Sequence, residues 1–163
     1  MDVSHLVYGA SKDGHYTGTV TQSVIVAVSV PAIWQEISNI AGLAGWVSDV
    51  KKTVFLSKTK KGLGASRKIF FADGSQVVEY IVGWQEEKYL SYIATSGLPL
   101  EGYHATISIA VKGKKSSITW TSFLISRGSD RKEFEEFLSF MDSFYSDSLK
   151  NLKEKLEKQY ASI

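Results

Sequence analysis

An α+β fold is expected from three features of the chain. Strand-like segments follow one another with short turn clusters between them, one long helical segment is confined to the C-terminus, and only two prolines interrupt 163 residues. Segregated strands and helices indicate an antiparallel sheet with helices set apart, not a parallel doubly wound one. Tyr16 to Ser29 alternates and is rich in Thr and Val, so it reads as a long first strand. Pro31 suits the first turn of a short helix with Ile33, Trp34 and Ile37 on one side. Residues 39–43 add a second short helical turn before Gly42 and Gly45 break it. After Trp46, strand-like runs fall at 47–57, 65–72, 76–85, 89–95, 103–111 and 116–126, with Gly, Asp, Lys or Ser clusters between them. That spacing is the meander pattern of an antiparallel sheet, seven strands in all.

The last segment differs in kind. Asp130 with Glu133 three residues on makes a capping box, and helix-type periodicity follows. Phe134, Phe137, Leu138, Met141, Phe144, Tyr145 and Leu149 then share an apolar arc of about 180°, wide enough to lie against a sheet. Ser148 falls near the middle of that arc. From Lys150 onward the run KNLKEKLEKQ narrows the stripe, so this end is expected at the surface. A curled sheet round a long helix can leave a space lined by alternate strand residues and by the helix's aromatic face. The plain alternative is that an aromatic stripe at helical spacing simply packs as core.

Composition narrows the function. A chain of 163 residues fits one domain, taken here as 1–163, able to bury a core of its own. The 44% hydrophobic and 22% charged content is ordinary for a globular protein. With no cysteine, disulfides, thiolate nucleophiles and sulfur-bound zinc are excluded. A net charge of +2 gives no case for nucleic acid, and KTKKG (58–62) and KGKK (112–115) read as solvated loop tips. His5, His15 and His104 lack metal-ligand spacing, and GLGAS (62–66) lacks the third glycine and following helix of a nucleotide loop. No metal and no cofactor are expected. No uncharged apolar run reaches membrane-spanning length, and no secretion signal is visible, so a cytoplasmic location is expected.

Several short motifs then carry a likeness. They are Val30-Pro31-Ala32-Ile33-Trp34, Trp46, Gly64-Ala65-Ser66-Arg67, Asp73-Gly74 with Glu79, Trp84, Tyr92, Leu98-Pro99, Tyr103 and Ile118-Thr119-Trp120-Thr121-Ser122. In this order and spacing, over roughly residues 17 to 158, the chain resembles the START-like, helix-grip (SRPBCC) superfamily. Within it, the polyketide cyclase/dehydrase and lipid-transport group is the nearest likeness, and plant abscisic-acid receptors are a distant one. The resemblance implies a helix-grip fold, in which a curved seven-stranded antiparallel sheet wraps round the C-terminal helix. One such fold hosts carriers, sensors and cyclases, so fold alone does not fix function.

Glu79 is the odd residue, a carboxylate among Val77, Val78, Tyr80, Ile81 and Val82. Register decides which way it points, because a slip of one residue exchanges the two faces. A two-residue Asp73-Gly74 turn sets Lys68 opposite Glu79, as a surface pair. A three-residue loop with Gly74 left-handed sets Ile69 opposite Glu79, Arg67 opposite Ile81 and Phe71 opposite Val77, all on one apolar face. The residues leave both registers open; the resemblance implies that Arg67 and Glu79 face the cavity. A buried carboxylate needs Arg67, tyrosine hydroxyls or water as partners.

Tyr92 and Tyr103 are further candidates for polar groups in that space, and Ala94, Ala105 and Ile107 share their parity. The resemblance puts the Thr121 face inward, with Phe123 beside it. Phe140, Phe144 and Ser148 close the space from the helix. In SGLPLEG (96–102), Leu98 and Leu100 either border the cavity mouth, as in related proteins, or cover a core edge.

Three functions compete. The first is binding or transport of a small hydrophobic ligand (a lipid, polyketide, isoprenoid or aromatic) by a monomer or homodimer. The second is an enzyme similar to polyketide cyclases and dehydratases, with Glu79 as base and Arg67, Tyr92 and Tyr103 assisting. The third is an interaction module acting through an exposed apolar surface.

Overall fold

The computed structural model describes residues 7–10 and 14–161. The strands are β1 (Val7–Ala10), β2 (Tyr16–Val26), β3 (Val50–Phe55), β4 (Ser66–Phe71), β5 (Gln76–Gln85), β6 (Tyr89–Ser96), β7 (Leu100–Lys112) and β8 (Lys115–Ser126). Helix α1 (Val30–Ile37) and a 3-10 turn (Leu43–Gly45) lie between β2 and β3, and α2 (Arg131–Tyr160) closes the chain. All seven expected strands are present, and β1 adds a short edge strand that the sequence did not announce. The second helical turn, expected over 39–43, forms later, as a single 3-10 turn at Leu43–Gly45 with Gly42 as its N-cap.

The curved sheet is antiparallel throughout, in the order β1-β2-β8-β7-β6-β5-β4-β3. Strands β3 to β8 run as a meander, and β2 pairs with β8, so the β2–β3 connection carries α1 from one side of the sheet to the other. Helix α2 packs across the concave face, chiefly on β2 and β8. The Asp130 carboxylate accepts a hydrogen bond from Glu133 N at 3.1 Å, so the expected cap forms. Buried Leu138, Tyr145, Leu149, Leu152 and Leu156 form the helix's inner face. Asp142, also buried, accepts from Gln22 Nε2 at 2.8 Å and ties the helix to β2.

The β4–β5 hairpin follows neither register considered from the sequence. Its loop is Ala72-Asp73-Gly74, closed by Phe71 N donating to Ser75 O at 2.9 Å, and Arg67 pairs directly with Glu79. Gly74 is left-handed (φ 89°), as a three-residue loop requires, but the loop closes one residue earlier than expected. Asp73 Oδ1 fixes it there by accepting from Ser75 N (2.8 Å) and Ser75 Oγ (2.6 Å).

Two glycines give a stability test. At Gly74 an added Cβ meets nothing within 4 Å, so Gly74→Ala should cost only the left-handed strain, about 1–2 kcal/mol. At Gly97 (φ 100°) the same Cβ would lie 1.9 Å from the Gln76 carbonyl oxygen, so the backbone must move. Urea unfolding of the two variants should therefore show the larger loss in Gly97→Ala; equal losses would contradict this packing of the β6–β7 turn.

Candidate functional site

Between the concave sheet and the N-terminal half of α2 lies a hollow of about 470 Å³. Its buried walls include Arg67 and Ile69 of β4, Val77 and Glu79 of β5, Tyr92, Tyr103, Ile107 and Trp120. Leu43, Trp46 and Val47 wall it from the β2–β3 connection, and Phe137, Met141 and Phe144 from α2. Exposed lining residues mark the mouth: Asp49, Asp73, Ser75, Gly97, Pro99 and Phe140.

The polar end is built on adjacent strands. Arg67 and Glu79, 3% and 6% exposed, are cross-strand partners. Arg67 Nε donates to Glu79 Oε1 at 2.9 Å and Nη2 lies 2.8 Å from the same oxygen. Arg67 Nη1 donates to the Ile40 carbonyl at 2.9 Å, and the guanidinium lies 5.0 Å over the Tyr92 ring. Burial pushes the Glu79 carboxyl above its ordinary range, and the Arg67 charge opposes that shift.

A chain of aromatic polar groups continues from there. Tyr92 Oη accepts from Trp120 Nε1 at 2.9 Å and lies 3.5 Å from Tyr103 Oη, which is hydrogen-bonded to Tyr145 Oη. The Trp120 and Tyr145 rings stack, with centroids 4.0 Å apart. Burial raises all three phenols above their ordinary range, and for Tyr92 and Tyr103 the neighbouring phenol and the Glu79 charge add to it.

Ten of the residues expected at the site line the hollow: Arg67, Ile69, Phe71, Glu79, Tyr92, Leu98, Tyr103, Ile107, Phe140 and Phe144. Ile81 and Ala105 are buried in the core without lining it, and Ala94 is only half-buried, beyond its edge. Ser148 is buried but already engaged, its Oγ accepting from Ser48 N at 3.0 Å to staple the β2–β3 connection to α2. Leu98 lines the hollow, whereas Leu100 covers the core, so the two leucines of that turn divide between the expected roles.

Thr121 and Phe123 face the other way. Thr121 Oγ1 hydrogen-bonds Thr21 Oγ1 at 2.7 Å on the outer face, and Phe123 is 44% exposed. The inward residues of β8 are Ile118, Trp120, Ser122 and Leu124. The resemblance implied the Thr121 face inward, and with it Trp120 outward; the structure reverses this, although the inward parity also carries Ser116, Ser122 and Ser126. Two of those serines are satisfied by the backbone: Ser116 Oγ donates to Val28 O at 2.7 Å and Ser126 Oγ to Gly128 O at 2.6 Å. The long apolar side chains of Ile118, Trp120 and Leu124 were the usable signal.

A curved antiparallel sheet gripping one long C-terminal helix over a partly apolar hollow defines a helix-grip protein. The family model described as polyketide cyclase / dehydrase and lipid transport matches residues 17–157, and the chain belongs to that family. Solved structures share the fold. A Thermobifida fusca protein aligns with a TM-score of 0.73 at 20% identity, covering 87% of this chain and 95% of its own. The XoxI protein of Bacillus cereus aligns at 0.71 and 22%, covering 85% and 94%. An uncharacterised Bacillus thuringiensis protein aligns at 0.71 and 22%, covering 85% and 98%. At such identities the likeness speaks for fold alone. No curated protein matches the sequence significantly.

Removing one partner of the buried ion pair strands the other's charge. Glu79→Leu should lose about 3–5 kcal/mol, and the double variant Arg67→Met/Glu79→Leu should regain most of it. Urea midpoints of the three proteins check this; a double variant no better than the single would refute mutual neutralisation. The tyrosines give a pH test. Their folded pKa values lie above the unfolded one near 10, so above pH 10 the unfolded chain releases protons that the folded chain keeps. Stability should then fall by on the order of 1 kcal/mol per pH unit for each of Tyr92, Tyr103 and Tyr145. A tyrosinate absorbance titration at pH 11 should show these three of the eight tyrosines still protonated while the fold persists.

Proposed function

We propose that the protein binds a small, largely apolar molecule in the hollow between the sheet and α2, with one polar group held at Arg67, Glu79 and Tyr92. The observation that carries this reading is a hollow of about 470 Å³ whose mainly apolar walls converge on a buried ion pair and a set of tyrosine hydroxyls. That size lies within the range of roughly 300–1,000 Å³ typical of small-molecule sites, which are apolar with a few polar groups fixing orientation. Membership of a family described by lipid transport and by cyclase or dehydrase chemistry supports a ligand in that space.

A second reading is catalysis of the cyclase or dehydratase kind in the same space. It draws on the raised Glu79 carboxyl beside protonated phenols, the pairing of a base with donors to a developing oxyanion. Binding alone needs fewer groups, and the pairing of Glu79 to Arg67 draws basicity from its carboxylate. Carriage is therefore the preferred function.

Filling the hollow tests it. Ile107→Phe places a ring in the space, so a neutral dye such as Nile red should bind the wild type and lose at least tenfold in affinity to this variant. Overpacking a filled core costs about 1–3 kcal/mol, so a variant that keeps its urea midpoint while losing the dye shows that the space was vacant. No dye binding to the wild type would end the reading.

A further inference from the structure

We propose that the hollow selects ligands whose polar end is an uncharged hydroxyl, alcohol or phenol, and rejects those ending in a carboxylate. This rests on the reading above, that a small apolar molecule occupies the space.

The argument begins with Arg67, the natural anchor for an anion. Its Nε, Nη1 and Nη2 each already have a partner, one face of the guanidinium is covered by Tyr92, and its charge is balanced by Glu79. An incoming carboxylate would have to displace the Glu79 carboxylate or share its cation, and like charges so placed in a poorly screened interior repel one another strongly. Arg67 is also the sole basic residue in the described lining, against Asp49, Asp73 and Glu79. Asp73 is held ionised at the mouth by its hydrogen bonds to Ser75, so an anion meets negative charge at the mouth and again at the buried end.

What the buried end lacks is a donor. Both contacts from Arg67 end on Glu79 Oε1, and Oε2 takes no hydrogen bond from the described residues although the side chain is more than nine-tenths buried. Glu79 lines the hollow and this oxygen is not among the sealed, unsatisfied atoms of the interior, so a ligand O–H that reaches it would make a charge-assisted bond there. The same ligand oxygen can accept from a tyrosine: Tyr92 Oη already accepts from Trp120 Nε1, which leaves its own proton to give. A hydroxyl both donates and accepts, whereas a carboxylate only accepts.

Isothermal titration at pH 8 with three probes of one size, 2-naphthalenemethanol, 2-naphthoic acid and 2-methylnaphthalene, tests the selection. The alcohol should bind at least tenfold tighter than the acid and measurably tighter than the hydrocarbon. In Glu79→Gln, checked by circular dichroism, the alcohol should weaken and the acid should gain, because Arg67 is then free to meet it. An acid that binds the wild type as well as the alcohol does, or a hydrocarbon that equals the alcohol, overturns the selection and leaves the hollow as a binding site. Failure of all three probes removes the hollow's function itself, and the selection with it.

Discussion

Two opposite charges placed side by side in an apolar interior must neutralise one another, and the cross-strand pairing of Arg67 with Glu79 does this within hydrogen-bond distance. The pair joins three parts of the chain at once. Arg67 comes from β4, Glu79 from β5, and the Ile40 carbonyl, which takes a third contact from the guanidinium, belongs to the connection after α1. That connection carries Trp46 and Val47 into the hollow's wall, so the ion pair positions the wall as well as the polar end. Replacing such a pair with well-packed apolar groups is often neutral or stabilising, so its stability contribution alone does not explain its presence. Its place at the buried end of a hollow is what the proposed binding function would account for.

The hollow persists because its boundary is held from outside it. Ser148 takes the Ser48 N–H, Asn151 Nδ2 reaches the Trp46 carbonyl at 3.3 Å, and Lys155 pairs with Glu36. These contacts fix α2 against the β2–β3 connection along the helix's second half, while Leu149, Leu152 and Leu156 fill the core there. Toward the first half the side chains are large and widely spaced. Phe137, Phe140 and Phe144 neighbour one another along the helix at centroid distances of about 6.0 Å and rim the space without closing it. One helix thus plugs the sheet at one end and roofs a cavity at the other.

Much of this was legible before any fold was drawn. The strand runs, the capped C-terminal helix and its wide apolar arc follow from side-chain periodicity, a local property. Glu79 stood out because a lone carboxylate in an apolar strand is itself a local anomaly. Its inward direction, in contrast, depended on whether the hairpin loop held two residues or three, because a two-residue turn sets Lys68 opposite it and the three-residue loop sets it on the face of Arg67. The facing of β8 that the resemblance implied is reversed in the structure, where the inward Ser116 and Ser126 are received by the carbonyls of Val28 and Gly128.

The amino-acid order by itself determined the kinds of elements, their succession and the residues able to carry polar chemistry, since these rest on interactions between near neighbours. Tertiary structure alone decided that Arg67 meets Glu79, that Trp120 and not Thr121 faces inward, and that Ser148 serves the scaffold. Those outcomes depend on register and on partners up to about a hundred positions away, as Ser48 and Ser148 are, and no local pattern encodes such pairings.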